Sequence, residues 1–276
     1  MSADNSDQIE FWNGSTATNW VADEELMDKL LAPLSRHVIA RADIKPDDAV
    51  IDIGCGCGGT SMAMAEAGAR VLGIDVSAPM LARAREHADS NDRLEFIEAD
   101  AQAHAFEAQF DVLFSRFGVM FFADPVAAFA NLRTALKPTG RLCFICWQAM
   151  SENPWLAAPM AAAQPFLPPP PAEAPDPKAP GPFSFADPDH LSGVLTNAGF
   201  SDVAVEAYPV EMQLGENLAD AMAFYTRVGP LSGALAGMEP VDRDAAVAAV
   251  AEALGALDSG SGIALPGGCW IATAHR

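Results

Sequence analysis

The chain has 276 residues, half of them hydrophobic, and a formal net charge of −21. That length and apolar content support one large core and exclude a disordered chain. The negative field repels nucleic-acid phosphates and anionic membrane surfaces, so neither is expected as a partner.

No stretch reaches the roughly 20 apolar residues of a membrane span. The polar, acidic residues 1–10 lack the basic and apolar regions of a signal peptide. The five cysteines are odd in number. Cys143 and Cys146 are three apart in an apolar run, which on a strand places them on opposite faces and makes a poor metal pair. Reduced, buried thiols, no metal and a cytoplasmic location are expected.

In chain order, residues 8–41 read as helical and amphipathic, with Leu26, Leu30, Leu31, Leu34 and Val38 at helical spacing. They include an aromatic stretch, Phe11, Trp12 and Trp20, which needs a surface to cover: either the domain itself or a ligand. Lys45-Pro46-Asp47-Asp48 is a turn. Ala49-Val50-Ile51-Asp52-Ile53 then predicts a strand that runs into Gly54-Cys55-Gly56-Cys57-Gly58-Gly59 and a helix. Glycines there allow positive φ and let a ligand lie on the backbone, and the N–H groups at the helix start favour a polar or anionic group. A glycine turn without a ligand is the plainer alternative.

The pattern repeats. Arg70 to Asp75 is a strand ending in an acid, and Ser77 caps the next helix with Pro79 in its first turn. Leu94 to Ala101 is a third strand carrying Asp100, and Phe110 to Ser115 is a fourth. A helix from Pro125 to Leu136 follows. Lys137-Pro138-Thr139-Gly140 stops it, and Arg141 to Trp147 is a fifth strand. Short apolar strands alternating with helices predict a doubly wound, mostly parallel α/β sheet of seven strands, with ligands at the carboxyl ends near the switch point. Asp75 and Asp100 stand at such ends.

From Gln148 the alternation stops. Residues 165–182 hold Pro168 to Pro171, Pro175, Pro177, Pro180 and Pro182 and predict an extended surface loop. Residues 187–198 predict a capped helix ending at Gly199, and 203–214 alternate as a sixth strand. Alanine-rich helices are expected over 216–229 and 241–257, and a last strand over 262–273.

Residues 46–147 resemble the class I S-adenosylmethionine-dependent methyltransferases, in particular their bacterial small-molecule branch. Asp52-Ile53-Gly54-Cys55-Gly56-Cys57-Gly58 matches the family's acid-x-Gly-x-Gly-x-Gly loop. Asp75 matches its ribose-binding acid, and Asp100-Ala101 its acid and small residue after the third strand. Phe110-Asp111 and Leu136 to Leu142 match later motifs, with Thr139 where a glycine is common. The same loop also satisfies G-x-G-x-x-G through Gly54, Gly56 and Gly59, so a nicotinamide-dependent oxidoreductase is the alternative. Asp52, Asp100-Ala101 and the Lys137 turn favour the methyltransferase.

The resemblance implies S-adenosylmethionine as cofactor and a Rossmann-like fold. It assigns Asp75 to the ribose hydroxyls. By their chemistry Val76 and Met80 suit the faces of the adenine, with ordinary core packing as the alternative for Met80, and Asp100 with the Ala101 N–H suits its edge. Gly54, Gly56 and Gly58 take the close backbone approach, and Asp52 faces the ammonium of the methionine tail or orients the loop. Ser115, Arg116 and Phe117 would contact the methionine end, and Trp20 would close over the cofactor. Met120, Phe121 and Trp12 are placed on the acceptor side, with ordinary core packing as the alternative. No general base is nominated; of the five histidines only His190 lies near that side.

The chain is thus expected to be one methyltransferase domain: an N-terminal helical cover (1–45), a cofactor-binding half (46–147), a proline-rich loop (148–186) and a C-terminal half (187–276) with a helical insert (215–258). Its expected activity is methyl transfer to a small apolar or aromatic acceptor, with the acceptor atom unassigned. A non-catalytic protein that binds the cofactor is a second alternative, and a homo-oligomer is compatible with all three.

Overall fold

The computed structural model describes residues 4–89, 91–169, 176–258, 260 and 262–276. Three helices come first: α1 (Ser6–Asn13), α2 (Ser15–Ala22) and α3 (Glu24–Arg41). The continuous helical pattern of residues 8–41 is therefore interrupted twice. Gly14 adopts an extended backbone between α1 and α2, and Asp23 leaves the helical region before α3. α3 buries Met27, Leu30, Leu31, Leu34 and Val38 along one face.

The alternating unit follows: β1 (Ala49–Ile53), α4 (Gly59–Glu66), β2 (Arg70–Asp75), α5 (Ala78–Ala88), β3 (Leu94–Glu98), β4 (Phe110–Arg116), α6 (Pro125–Ala135) and β5 (Leu136–Trp147). The remainder is α7 (Pro154–Ala163), α8 (Pro188–Asn197), β6 (Ser201–Gly215), α9 (Leu218–Arg227), α10 (Gly229–Leu235), α11 (Pro240–Gly255) and β7 (Ile263–His275). The helix caps read from sequence act as expected. Ser77 Oγ accepts from Met80 N, and Asp187 caps α8.

The seven strands form one sheet in the order β3-β2-β1-β4-β5-β7-β6. Pairings among β1 to β5 are parallel, while β7 runs antiparallel between β5 and β6. The order in which strands are added reverses between β1 and β4, and in such sheets ligands bind outside the carboxyl ends of the strands at this switch point. The central strands are buried on both faces, with Val50, Ile51, Val112, Leu113 and Phe114 fully enclosed. The sheet is thus the doubly wound, mostly parallel one that the strand–helix alternation predicts.

Four local expectations are corrected. β3 ends at Glu98 rather than Ala101, because Asp100 Oδ1 accepts from Gln102 N and turns the chain out of the sheet. Residues 137–140 are not a separate turn but the irregular start of β5, whose register shifts against β4 between Phe110 and Val112. There the C-terminus pairs with it: Arg276 N donates to Gly140 O, and its guanidinium to Leu136 O at 2.6 Å.

The third correction concerns 148–186, which is not all loop. Pro154 opens α7 in a first turn where its missing N–H costs nothing, and the helix tolerates Pro159 inside. Proline at 159 cannot donate to the carbonyl of Trp155, and the buried Tyr225 hydroxyl donates to that carbonyl instead. The rest of the segment is tied down where it is described: Gly181 N and Ser184 Oγ both donate to Met120 O. Pro170, Pro171 and Pro175 lie outside the described residues. The fourth is α10, a helix in the stretch between the two alanine-rich helices that the sequence pattern left unassigned.

All five cysteines are buried and unpaired, as reduced thiols. Among the described residues no helix is long and apolar enough to cross a membrane.

Candidate functional site

Asp52 is the fourth residue of β1 and fully buried. Its Oδ2 accepts from Thr60 Oγ1 at 2.8 Å and Ser61 Oγ at 2.7 Å, both on the first turn of α4. Its Oδ1 is buried without a hydrogen-bond partner. A buried carboxylate oxygen left bare is costly, and it marks a place for a donor. Burial pushes the Asp52 carboxyl up to about 6.

The loop beyond β1 is shaped by close backbone approach. A Cβ on Gly54 would lie 2.6 Å from Gly118 Cα, and one on Gly118 would lie 2.4 Å from Ile53 O. The tips of β1 and β4 therefore touch backbone to backbone, and only glycine fits at either position. Ser115 reinforces the seam: its Oγ donates to Ile53 O at 2.7 Å and accepts from Gly118 N at 3.2 Å. At Gly56 a Cβ would come within 2.9 Å of Met80 Cε, so the Met80 side chain lies over the loop. Gly58 precedes α4 with a left-handed backbone.

Asp75 ends β2. Its Oδ2 accepts from Gly56 N at 2.8 Å and its Oδ1 from Ser77 N at 2.9 Å. The carboxylate thus ties the glycine loop to the β2 tip, and each oxygen keeps a second lone pair. Burial raises its pKa, and the backbone donors of Ser77, Gly56 and Val76 oppose the rise. Asp100 lies two residues past β3, partly buried, with Ala101 enclosed behind it. The three carboxylates stand at the tips of three adjacent strands.

The β4 tip carries Phe117, whose φ of +62° is a left-handed conformation that bulky residues avoid. It is held by its N–H donating to Ile145 O at 3.0 Å and by its ring, stacked on Trp147 at 4.2 Å and 10°. Trp147 in turn meets Trp155 at 5.2 Å. Strain of this kind, of order 1–3 kcal/mol, persists where the surroundings enforce it and gathers at functional sites.

Residues 51–144 match the family of methyltransferase domains. These residues are a methyltransferase domain. A 124-residue stretch is 34% identical to the uncharacterized protein Rv1405c of Mycobacterium tuberculosis, covering 44% of this chain and 45% of that one. A 104-residue stretch is 38% identical to phosphoethanolamine N-methyltransferase 2 of Caenorhabditis elegans, covering 36% of this chain and 24% of that one. The chain spans less than half the length of these two relatives. The solved structure of phosphoethanolamine N-methyltransferase 2 of Haemonchus contortus, in complex with phosphomonomethylethanolamine and S-adenosylhomocysteine, superposes with a TM-score of 0.54 at 21% identity, over 88% of this chain and 52% of that one. At that identity the likeness is one of fold.

The methyltransferase domain gathers most of the residues singled out in the sequence. Asp52, Gly54, Gly56, Gly58, Asp75, Val76, Met80, Asp100, Ala101, Ser115 and Phe117 line the tips of β1 to β4. Trp20 and Met80 join Ala17 and Cys57 in one apolar cluster, which brings α2 onto the glycine loop. Trp12 meets Phe121 edge-on at 5.1 Å and Trp20 at 6.1 Å.

Two residues are engaged differently. Arg116 turns to α3, donating to Ser35 Oγ at 3.0 Å and lying 3.8 Å from Asp28 Oδ1. Met120 is buried core that anchors the 181–184 loop through its carbonyl. His190 packs 6.1 Å from Phe185, and burial together with Lys178 lowers its pKa.

Three residues escaped the sequence reading. Asn5 and Asn13 pin α1 across the strand tips. Asp28 lies against the start of α4, its Oδ1 3.4 Å from where a Gly59 Cβ would stand. Asn13 stood inside the aromatic stretch before a glycine, a usable helix-end signal; the other two offered none.

Proposed function

We propose that the chain binds S-adenosylmethionine at the tips of β1, β2 and β3 and transfers its methyl group to a small apolar or aromatic acceptor. The observation that carries this reading is the bare, buried Oδ1 of Asp52 beside a glycine cradle, with Asp75 and Asp100 on the neighbouring tips. S-adenosylmethionine supplies a methyl group already activated by a sulfonium.

The residues divide the molecule among them. Asp52 offers its free oxygen to the ammonium of the methionine tail. Gly54 and Gly56 leave room for the tail and sugar to lie on the backbone. Asp75 uses its remaining lone pairs for the two ribose hydroxyls. Val76 and Met80 cover the adenine, and Asp100 with the Ala101 N–H reads its edge. Phe117 and Trp147 present rings at the β4 and β5 tips, which suit a cationic sulfur and exclude water from the reacting centre. The chain's part in the reaction is alignment and desolvation.

The rings at Phe117, Trp147, Phe121 and Trp12 support an apolar or aromatic acceptor. The relatives that act on phosphoethanolamine suggest a phosphorylated amine, but a net charge of −21 opposes an acceptor with a net negative charge. A nicotinamide cofactor is also disfavoured. Its pyrophosphate would seek the start of α4, and the Asp28 carboxylate already faces that position.

Calorimetry with S-adenosylhomocysteine tests the reading. Micromolar binding is expected, and Asp75→Ala should weaken it at least tenfold, consistent with loss of two charge-assisted hydrogen bonds. Absence of binding, together with quenching by reduced nicotinamide dinucleotide, would establish the oxidoreductase instead. Binding without homocysteine-nucleoside product across an acceptor panel would favour a non-catalytic role.

A further inference from the structure

α1 is a weak helix by every internal measure. It has eight residues, buries none of them, and carries no side-chain cap. Such a segment does not hold its shape alone in water. Its position is set by two asparagines, one at each end.

Asn5 occupies the N-cap position, where its side chain would ordinarily accept from the first turn. It makes no such bond. Instead it is 7% exposed, its Nδ2 donates to Asp100 Oδ1 at 3.3 Å, and its Oδ1 accepts from Ala123 N at 3.2 Å. The carboxamide bridges the chain after β3 to the chain after β4. Asn13 does the same at the other end. Its Nδ2 donates to Val76 O at 2.8 Å and to Ile9 O, and its Oδ1 accepts from Ala78 N at 3.0 Å. This grips the turn directly after Asp75. Between the two pins Trp12 rests edge-on against Phe121.

The helix therefore spans the tips of β2, β3 and β4, which are the tips assigned above to the nucleoside. We propose that Asn5 and Asn13 are positioning residues for the cofactor: they pin α1 over the nucleoside end and set how long it stays bound. This rests on the proposed binding of S-adenosylmethionine at those tips. Each asparagine holds a loop whose neighbouring acid meets the ligand, Asn5 at Asp100 and Asn13 beside Asp75. Release requires α1 to lift, which breaks these polar contacts and the partly exposed packing of Trp12 on Phe121 and Trp20, and frees no buried residue of α1.

Dissociation of S-adenosylhomocysteine from the full chain, timed by surface plasmon resonance, tests this, with apo melting followed in parallel. Asn5→Ala and Asn13→Ala should each speed release about fivefold and the double variant about 25-fold, the effect of one or two ordinary hydrogen bonds per site. Apo melting of Asn13→Ala should stay within about 2 °C of wild type, because α1 buries no residue. Release at the wild-type rate in the double variant overturns the inference. So does faster release matched by an equally large loss of apo stability, which would mark a purely structural role. Should the double variant melt early, Asn13→Ala alone, at an exposed position, carries the same reading. A wild-type chain that does not bind S-adenosylhomocysteine would instead sink the proposed function.

Discussion

Asp52 concentrates the physics of the site in one side chain. It is buried, two hydroxyls satisfy one oxygen, and the other oxygen is bare. Burial is the main cause of its rise from 3.8 to about 6; Ser61, Thr60 and Arg116 oppose it and Asp75 adds to it. A folded-state value above the unfolded one means that the group contributes stability below about pH 4, and that this contribution is lost as pH rises through about 6. The ligand has the opposite preference, since an ammonium needs the charged carboxylate. Affinity for S-adenosylhomocysteine, measured calorimetrically, should therefore rise about tenfold between pH 5 and pH 7 in wild type and stay flat in Asp52→Asn. A flat wild-type profile would remove Asp52 from the ammonium site. Asp52, Asp75 and the glycines were legible because each ends an apolar run at a fixed offset. Phe117 was legible as a residue but not as a conformation, because nothing local forces a phenylalanine to positive φ; the stack on Trp147 and the glycine behind it do.

At the scale of elements, the strands were the easiest to read and the ends of helices the hardest. β1, β2 and β4 fall within about a residue of their apolar runs, because burial on both faces keeps most of their residues apolar. The cover was read as one amphipathic stretch because the pattern of Leu26 to Val38 is strong; the breaks at Gly14 and Asp23 come from how α1 and α2 dock on the glycine loop. α7 was hidden by its prolines, and its stability depends on a contact from α9. Tyr225→Phe should cost about 1–3 kcal/mol in urea unfolding, since it strands the buried Trp155 carbonyl. In a Pro159→Ala background the restored amide at 159 can donate to that carbonyl, so the same substitution should cost about 1 kcal/mol less. Equal costs in both backgrounds would show that Tyr225 does not stand in for the missing helical bond.

Across the whole molecule, the sheet order and the single antiparallel strand set where chemistry can occur. The parallel run of β3, β2 and β1 brings three acids to one edge, and the aromatic tips of β4 and β5 lie beside them. The architecture was legible from the alternation of strands and helices; the way the N-terminal cover closes over that edge was not, because it depends on contacts such as Asn5 to Asp100 across 95 residues. The cover also meets the insert, where Arg227 pairs with the enclosed Asp23. A crystal structure with S-adenosylhomocysteine tests the central claim most directly. The account predicts both ribose hydroxyls on Asp75, the amino group of the tail on Asp52 and the adenine edge at Asp100 beneath α1. A nucleoside bound elsewhere, or a ribose with no contact to Asp75, would contradict it.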